Sequence, residues 1–300
     1  MTGPAVGFEH YWDSVMDRLA ETPAAPESFE IPLRETEFAR LFGVRLTGVG
    51  PYRLFGYLSV PKGEGPFPTI YWTPPYGSVQ EIIPQGTANE VRSRFVTFSL
   101  AHRGQRTADS PLAVMFPGLL TCGIESPERY LFRDVVADAA RGLQFLSGRP
   151  EVDPDRLVTV GNDLALQSVA LTGLASCLVC NPELFFDPLA RSARTRAYPL
   201  EEYNDYLRRF PGRRASVELT LANFDLMRFA PQVSAPVLIV SGPASSDRDE
   251  SALAPLIAAI AGPASSYQSA DSNYLDGVAI DGWIADQLSS GPPILPRHWD

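Results

Sequence analysis

Apolar residues recur at helical spacing between residues 8 and 21, at Phe8, Tyr11, Trp12, Val15, Met16 and Leu19, and predict an amphipathic helix there. After a Pro-rich link, strands are predicted around 31 to 39, 42 to 49 and 52 to 60. The turn PKGEGPFP at 61 to 68 then separates the last of these from a strand at Thr69 to Thr73. A helix-like segment from about Asn89 leads into a strand at Arg94 to Ala101. Ser126-Pro127-Glu128 reads as a helix start, and Tyr130, Val135, Ala139, Leu143 and Leu146 carry that helix to Gly148. From Val158 to Leu166 the chain reads VTVGNDLAL, a buried strand breaking at Gly161 into a helix with Asp163 at the turn. Further strands are predicted at 176 to 180 and 236 to 241, with helices at 200 to 209, 216 to 228, 250 to 261 and 277 to 289. Strands separated by helices of roughly ten or more residues imply an α/β fold with a mostly parallel sheet and right-handed crossovers.

The 300 residues are 45% hydrophobic and 20% charged, enough for one sizeable domain over 1 to 300. Within it, residues 1 to 30 read as an N-terminal helical arm. The Pro- and Arg-dense stretch from about 182 to 232 interrupts the rhythm as a small cap-like insertion. A net charge of −10 without a basic block excludes a nucleic-acid or anionic-membrane partner. Acids within the first twenty residues and the lack of a long apolar run give neither a secretion signal nor a membrane span, so a cytoplasmic protein is expected. Cys177 and Cys180 form a C-x-x-C inside the apolar run GLASCLVCNPE and read as buried reduced thiols, with Cys122 the third cysteine. The three histidines, His10, His102 and His298, are not spaced with the cysteines as ligands, and neither metal nor cofactor is expected.

Several strings in order carry a family resemblance: FEHYWD at the start, GYLSVPKGEGPFPTI, HRGQ at 102 to 105, ERYLFRDVVADAARGLQFLSGRPEVDPDRL ahead of the turn at Gly161, and ANFDLMRFAPQVSAPVLIVSG. Over roughly residues 8 to 288 the chain resembles the acetyl xylan esterase and cephalosporin-C deacetylase group of α/β-hydrolases. The resemblance implies a strand-to-helix elbow of the G-x-S-x-G kind, where a serine nucleophile stands beside backbone N–H groups that hold an oxyanion. Laid on this chain, the family's serine falls on Asp163 and its next glycine on Ala165. The triad aspartate falls on about Ser245, with Asp247 two residues on, and the histidine on Asn273. The oxyanion loop becomes Pro74-Pro75-Tyr76-Gly77-Ser78, so the resemblance leaves the N–H groups of Tyr76 and Leu164 as its donors. In the family's D-V-R-G-Q run the acidic position is Ala101, with His102 beside it.

An aspartate cannot be activated to attack an ester as an alkoxide does, so the resemblance implies that the Ser-Asp-His triad is replaced. Three readings stay open. In the first, a repurposed enzyme without esterase activity uses Asp163 as the proton-transfer group of a non-hydrolytic addition, C–C bond formation, cyclisation, elimination or isomerisation, with Asn273 and His102 alongside and an enolate on Tyr76 and Leu164. In the second, the fold is a catalytically silent scaffold that binds a ligand or partner, and the Asp163 carboxylate only caps a helix. In the third, Asp163 is a nucleophile of the haloalkane dehalogenase or epoxide hydrolase type, with His102 the group placed to activate water.

Aromatic residues gather where the resemblance puts the pocket rim: Tyr71, Trp72, Tyr76, Phe185, Phe186 and Tyr274. They imply a small-molecule substrate that is flat, apolar or aromatic, as a secondary metabolite would be. The N-terminal helix and arm read as exposed enough to join a homodimer.

Overall fold

A computed structural model describes residues 7–77, 90–105, 112–244 and 246–295. Among the described residues nine strands form one sheet in the order β1-β2-β3-β5-β4-β6-β7-β8-β9. They are β1 (Glu27–Glu30), β2 (Ala39–Thr47), β3 (Arg53–Pro61), β4 (Phe67–Trp72), β5 (Val96–Ala101), β6 (Val152–Gly161), β7 (Cys177–Cys180), β8 (Val237–Ser241) and β9 (Ala264–Gln268). From β1 to β5 the pairs are antiparallel; from β5 through β4, β6, β7 and β8 to β9 they are parallel. The central strands β5, β7 and β8 are buried along their whole length because helices cover both faces, and β7 and β8 accordingly read as apolar runs.

The first helix, α1 (Phe8–Glu21), spans the residues its periodicity marks. A four-residue α2 (Val91–Arg94) precedes β5. Helix α3 (Leu131–Ser147) begins later than the Ser126-Pro127-Glu128 signal. Residues 126–130 instead make tight turns in which the Tyr130 N–H bonds to the Ser126 carbonyl at 2.9 Å. Helix α4 (Asp163–Thr172) follows β6 directly. Four helices lie between β7 and β8: α5 (Pro188–Ser192), α6 (Glu201–Arg209), α7 (Arg214–Leu221) and α8 (Leu226–Phe229). The single helix predicted at 216 to 228 is broken there because the Asp225 carboxylate accepts from the Met227 N–H at 3.0 Å and caps a new turn. Helices α9 (Glu250–Ala259) and α10 (Asn273–Leu288) complete the chain.

Two strand readings differ from the structure. The strand predicted around 31 to 39 is a turn over Pro32–Arg34, and β1 lies just before it. Pro32 has no N–H to give a ladder, while Ile31 closes the pairing by donating to Leu41 at 2.9 Å. Polar β9, ASSYQ, was not predicted; it is an edge strand added to β8 through its backbone.

The main core lies between the sheet and α1, α3 and α4, and a smaller one lies under α10 on the other face. The apolar face of α1 is covered within the chain, while the strand that follows at 27–30 is exposed. Trp12 is buried against Phe224 and Phe229, and its indole N–H donates to the Asn223 carbonyl at 2.8 Å, so the apolar face of α1 is used within the chain. The HRGQ string is structural: Arg103 holds Asp138 with two bonds of 2.8 Å and Asp134 with a third, and lies over the Tyr52 ring. This ties the loop after β5 to α3. Among the described residues no helix is long and apolar enough to cross a membrane.

Because Trp12 carries both ring packing and a buried hydrogen bond, Trp12→Ala should cost about 3–5 kcal/mol of unfolding free energy, measured by urea titration. A loss below about 1 kcal/mol would mean that α1 is not part of the core.

Candidate active site

The turn between β6 and α4 is tight. A Cβ at Gly161 would run into the Thr73 hydroxyl, so glycine is required by close approach. Asn162 follows as the N-cap, its side-chain oxygen accepting the Leu164 N–H at 3.1 Å. The Leu164 N–H, expected as an oxyanion donor, is thereby occupied. Asp163 is wholly buried. One carboxylate oxygen accepts the Phe185 N–H at 2.8 Å, and the other accepts the N–H groups of Glu183 and Leu184 at 2.8 and 2.9 Å. Burial pushes its pKa above the ordinary aspartate value while these N–H groups pull the other way. Both oxygens are therefore taken by main-chain donors. Asp163 ties the elbow to the loop after β7, where proton transfer would have required an oxygen open to a substrate.

The companion residues do not gather around it. His102 is buried, and its ring Nδ1 bonds the carbonyl oxygen of Arg103. Burial lowers it from the usual histidine value to about 4, so it is neutral and engaged. Asn273 is exposed in the first turn of α10, which follows the edge strand β9, with Tyr274 next to it. Trp72 packs in the second core with Ile70 and Val160, lining a cleft under α10. Tyr71 is buried and donates to the Ala139 carbonyl at 2.9 Å. Phe185 is buried against Phe132 and Phe224, and Phe186 is buried as well. An aromatic-lined substrate pocket is therefore not what these residues build. Ser78, Ser245 and His298 lie outside the described residues.

Tyr76 does face another feature. Its hydroxyl bonds one Glu202 oxygen, and Tyr198 adds its own hydroxyl to Tyr76 at 3.1 Å. The second Glu202 oxygen accepts the Leu120 N–H at 2.8 Å. A Cβ at Gly118 would overlap the Glu202 carboxyl group, so that glycine lets α6 settle onto the loop.

Beside this lies a cleft of about 250 Å³ at the carboxyl ends of β7 and β8. Glu183, Arg191, Tyr198, Asp247 and Arg248 are among its walls. Arg191 is buried, bonds Asp247 at 2.8 Å and also reaches the carbonyl oxygens of Glu183 and Phe186. Arg248 reaches Asn181 and the Pro182 carbonyl. Glu183 takes one hydrogen bond, from the Asn181 amide at 2.9 Å, and lies within the fields of Arg248 and Arg191. Burial and the Asp163 carboxylate push its pKa up; the two arginines pull it down, and the net direction is upward. Of these residues, sequence reasoning named only Asp247. The available signal was Asn181-Pro182-Glu183, a polar stop immediately after a buried parallel strand, where ligands of such sheets bind. Among the described residues no group of three His, Cys, Asp or Glu side chains is placed to hold a metal ion.

Comparison with known proteins gives one consistent result. The family model described as acetyl xylan esterase (AXE1) matches residues 4–246. The acetyl esterase Axe7A of Xylanibacter ruminicola is 20% identical over 247 residues, 78% of this chain. The chain spans 55% of that relative's length. An acetyl xylan esterase from Paenibacillus sp. R4 superposes with a TM-score of 0.79 at 22% identity, covering 93% of this chain and 94% of its own. Acetyl xylan esterase 1 from Thermoanaerobacterium sp. JW/SL YS485 gives 0.80 at 21% identity, covering 95% of each. The fold is therefore that of the α/β-hydrolases. The family match points to ester hydrolysis and overturns the expectation of a non-hydrolytic or silent protein. The saturated oxygens of Asp163 are the physical reason that neither proton transfer nor nucleophilic attack by this side chain is open.

Replacing the carboxylate by Asp163→Asn puts an amide N–H₂ against backbone donors and should cost about 2–4 kcal/mol, read by chemical unfolding. A neutral effect would show that the three bonds do not hold the loop. His102 sets a pH dependence. Because its folded value of about 4 lies below the unfolded value, its contribution is complete above about pH 6.5 and is lost as pH falls toward 4. That contribution amounts to about 3 kcal/mol. The stability difference between wild type and His102→Gln should shrink over that window, and a difference independent of pH would refute it.

Proposed function

The chain belongs to the acetyl xylan esterase family, and from that premise we propose that it hydrolyses acetyl esters of a carbohydrate in the cleft beyond β7 and β8, with Glu183 as general base acting on water. The observation that carries the reading is the placing of Glu183. It is a mostly buried carboxylate on the cleft wall, held by Asn181 and flanked by Arg191 and Arg248. Because Asp163 stands at the elbow with both oxygens engaged, attack is assigned to water and not to a side chain.

The step balances simply. Glu183 takes a proton from water as the oxygen adds to the ester carbonyl, and Arg248 offsets the negative charge on the carbonyl oxygen. The tetrahedral centre then expels the sugar oxygen, which recovers the proton from Glu183, leaving a free sugar hydroxyl and acetic acid that gives up its remaining proton to solvent. A base of this kind contributes roughly 10²–10⁴-fold. Its raised pKa makes it a stronger base than an ordinary surface glutamate while leaving it ionised at higher pH. Arg191, fixed by Asp247 and two carbonyl oxygens, positions the loop that carries Glu183.

Acetate release from acetylated xylo-oligosaccharide should fall about 100-fold or more in Glu183→Gln, with KM little changed. The wild-type rate should rise with pH through an ionisation above the usual glutamate value, and Glu183→Gln should lose that limb. No turnover above the buffer rate, or full activity in Glu183→Gln, would overturn the proposal.

A further inference from the structure

The chain carries a net charge of −10, yet residues 191–214 hold seven arginines against three acids. This stretch lies between β7 and β8, and it has a shape. Arg194, Arg196, Arg208 and Arg214 line a cleft of about 520 Å³ together with Asn204, Thr195 and one acid, Glu201. Thr195 also lines the Glu183 cleft, so the two hollows share a wall.

Two of these arginines are already fixed. Arg208 bonds Glu201 and Asp205, and Arg214 bonds Glu218 at 3.0 Å. Asn204 donates to the carbonyl oxygens of Ser192 and Thr195 and to Glu201, holding the loop that carries Arg194 and Arg196 against α6. Arg194 and Arg196 are exposed and make no salt bridge among the described residues, with Glu201 near enough to Arg196 to feel its charge. Two exposed guanidinium groups thus line the cleft without a salt-bridge partner among the described residues. Guanidinium pairs a carboxylate through two parallel hydrogen bonds, which fits a discrete anionic group better than diffuse surface charge.

We propose that this arginine-lined cleft binds a carboxylate on a sugar unit next to the ester-bearing one, so that the substrate is an acidic, uronate-containing carbohydrate ester. The inference rests on the hydrolytic reading above, and it names the substrate class for that site. A long polyphosphate chain is disfavoured by the acidic remainder of the molecule. The cleft's volume suits one or two sugar units.

Titration calorimetry on the full chain tests this with three probes: oligogalacturonate, neutral xylohexaose and inorganic sulfate. Oligogalacturonate should bind at least tenfold more tightly than xylohexaose, with an affinity that falls as salt rises. Arg194→Gln/Arg196→Gln should lose that preference about tenfold while its melting temperature stays unchanged, since both side chains are exposed. Equal affinity for the acidic and neutral sugars, or an unaltered double variant, would overturn the proposal. So would sulfate competing as well as oligogalacturonate at equal concentration, because the site would then recognise a free oxyanion and no sugar. Binding is read without turnover. Acidic-sugar binding with no acetate release would sink the hydrolytic reading alone, and acetate release without the preference would sink this one alone.

Discussion

A carboxylate buried in a protein interior must be surrounded by donors or it will not stay buried. Asp163 meets that requirement with three successive N–H groups, those of Glu183, Leu184 and Phe185. The constraint reaches well beyond one side chain. It fixes where the chain goes after β7, and so sets Glu183 on the cleft wall and sends Phe185 into the core between Phe132 and Phe224. The elbow of this sheet thus serves as an anchor, and the chemistry open to it lies one strand over.

The same logic organises the surrounding polar groups. Arg103 is buried but satisfied by Asp138, Asp134 and the Val49 carbonyl; Arg191 is buried but satisfied by Asp247 and two carbonyl oxygens. Each joins a loop at the carboxyl end of the sheet to a neighbouring element, so the loops that form the clefts are held from below. Glu202 does the equivalent from above, bringing α6 down onto Tyr76 and Leu120. Among the described residues, Glu183 and Arg248 line one of these clefts, and Arg194 and Arg196 the next.

Much of the framework was legible in the residues. The spacing of Phe8, Trp12, Val15 and Leu19 marks α1, and the break at Gly161 marks the end of β6, because helical and extended periods are local properties of the chain. Where local signals failed, a tertiary partner had decided. Polar β9 is a strand because β8 offers it a backbone edge, and the predicted helix from 216 divides because Asp225 caps a second one.

The site was harder to read. Sequence order alone placed Asp163 at the sharp turn and established that no histidine follows His102 before His298. It could not say whether that carboxylate faced a hollow or three amides, since the amides belong to residues 183–185, twenty and more positions away. Burial and hydrogen-bond saturation are properties of contacts between distant segments. Identity, charge and local period were therefore determined along the chain, while the division between structural and available side chains was settled only when the sheet brought β6, β7 and β8 side by side.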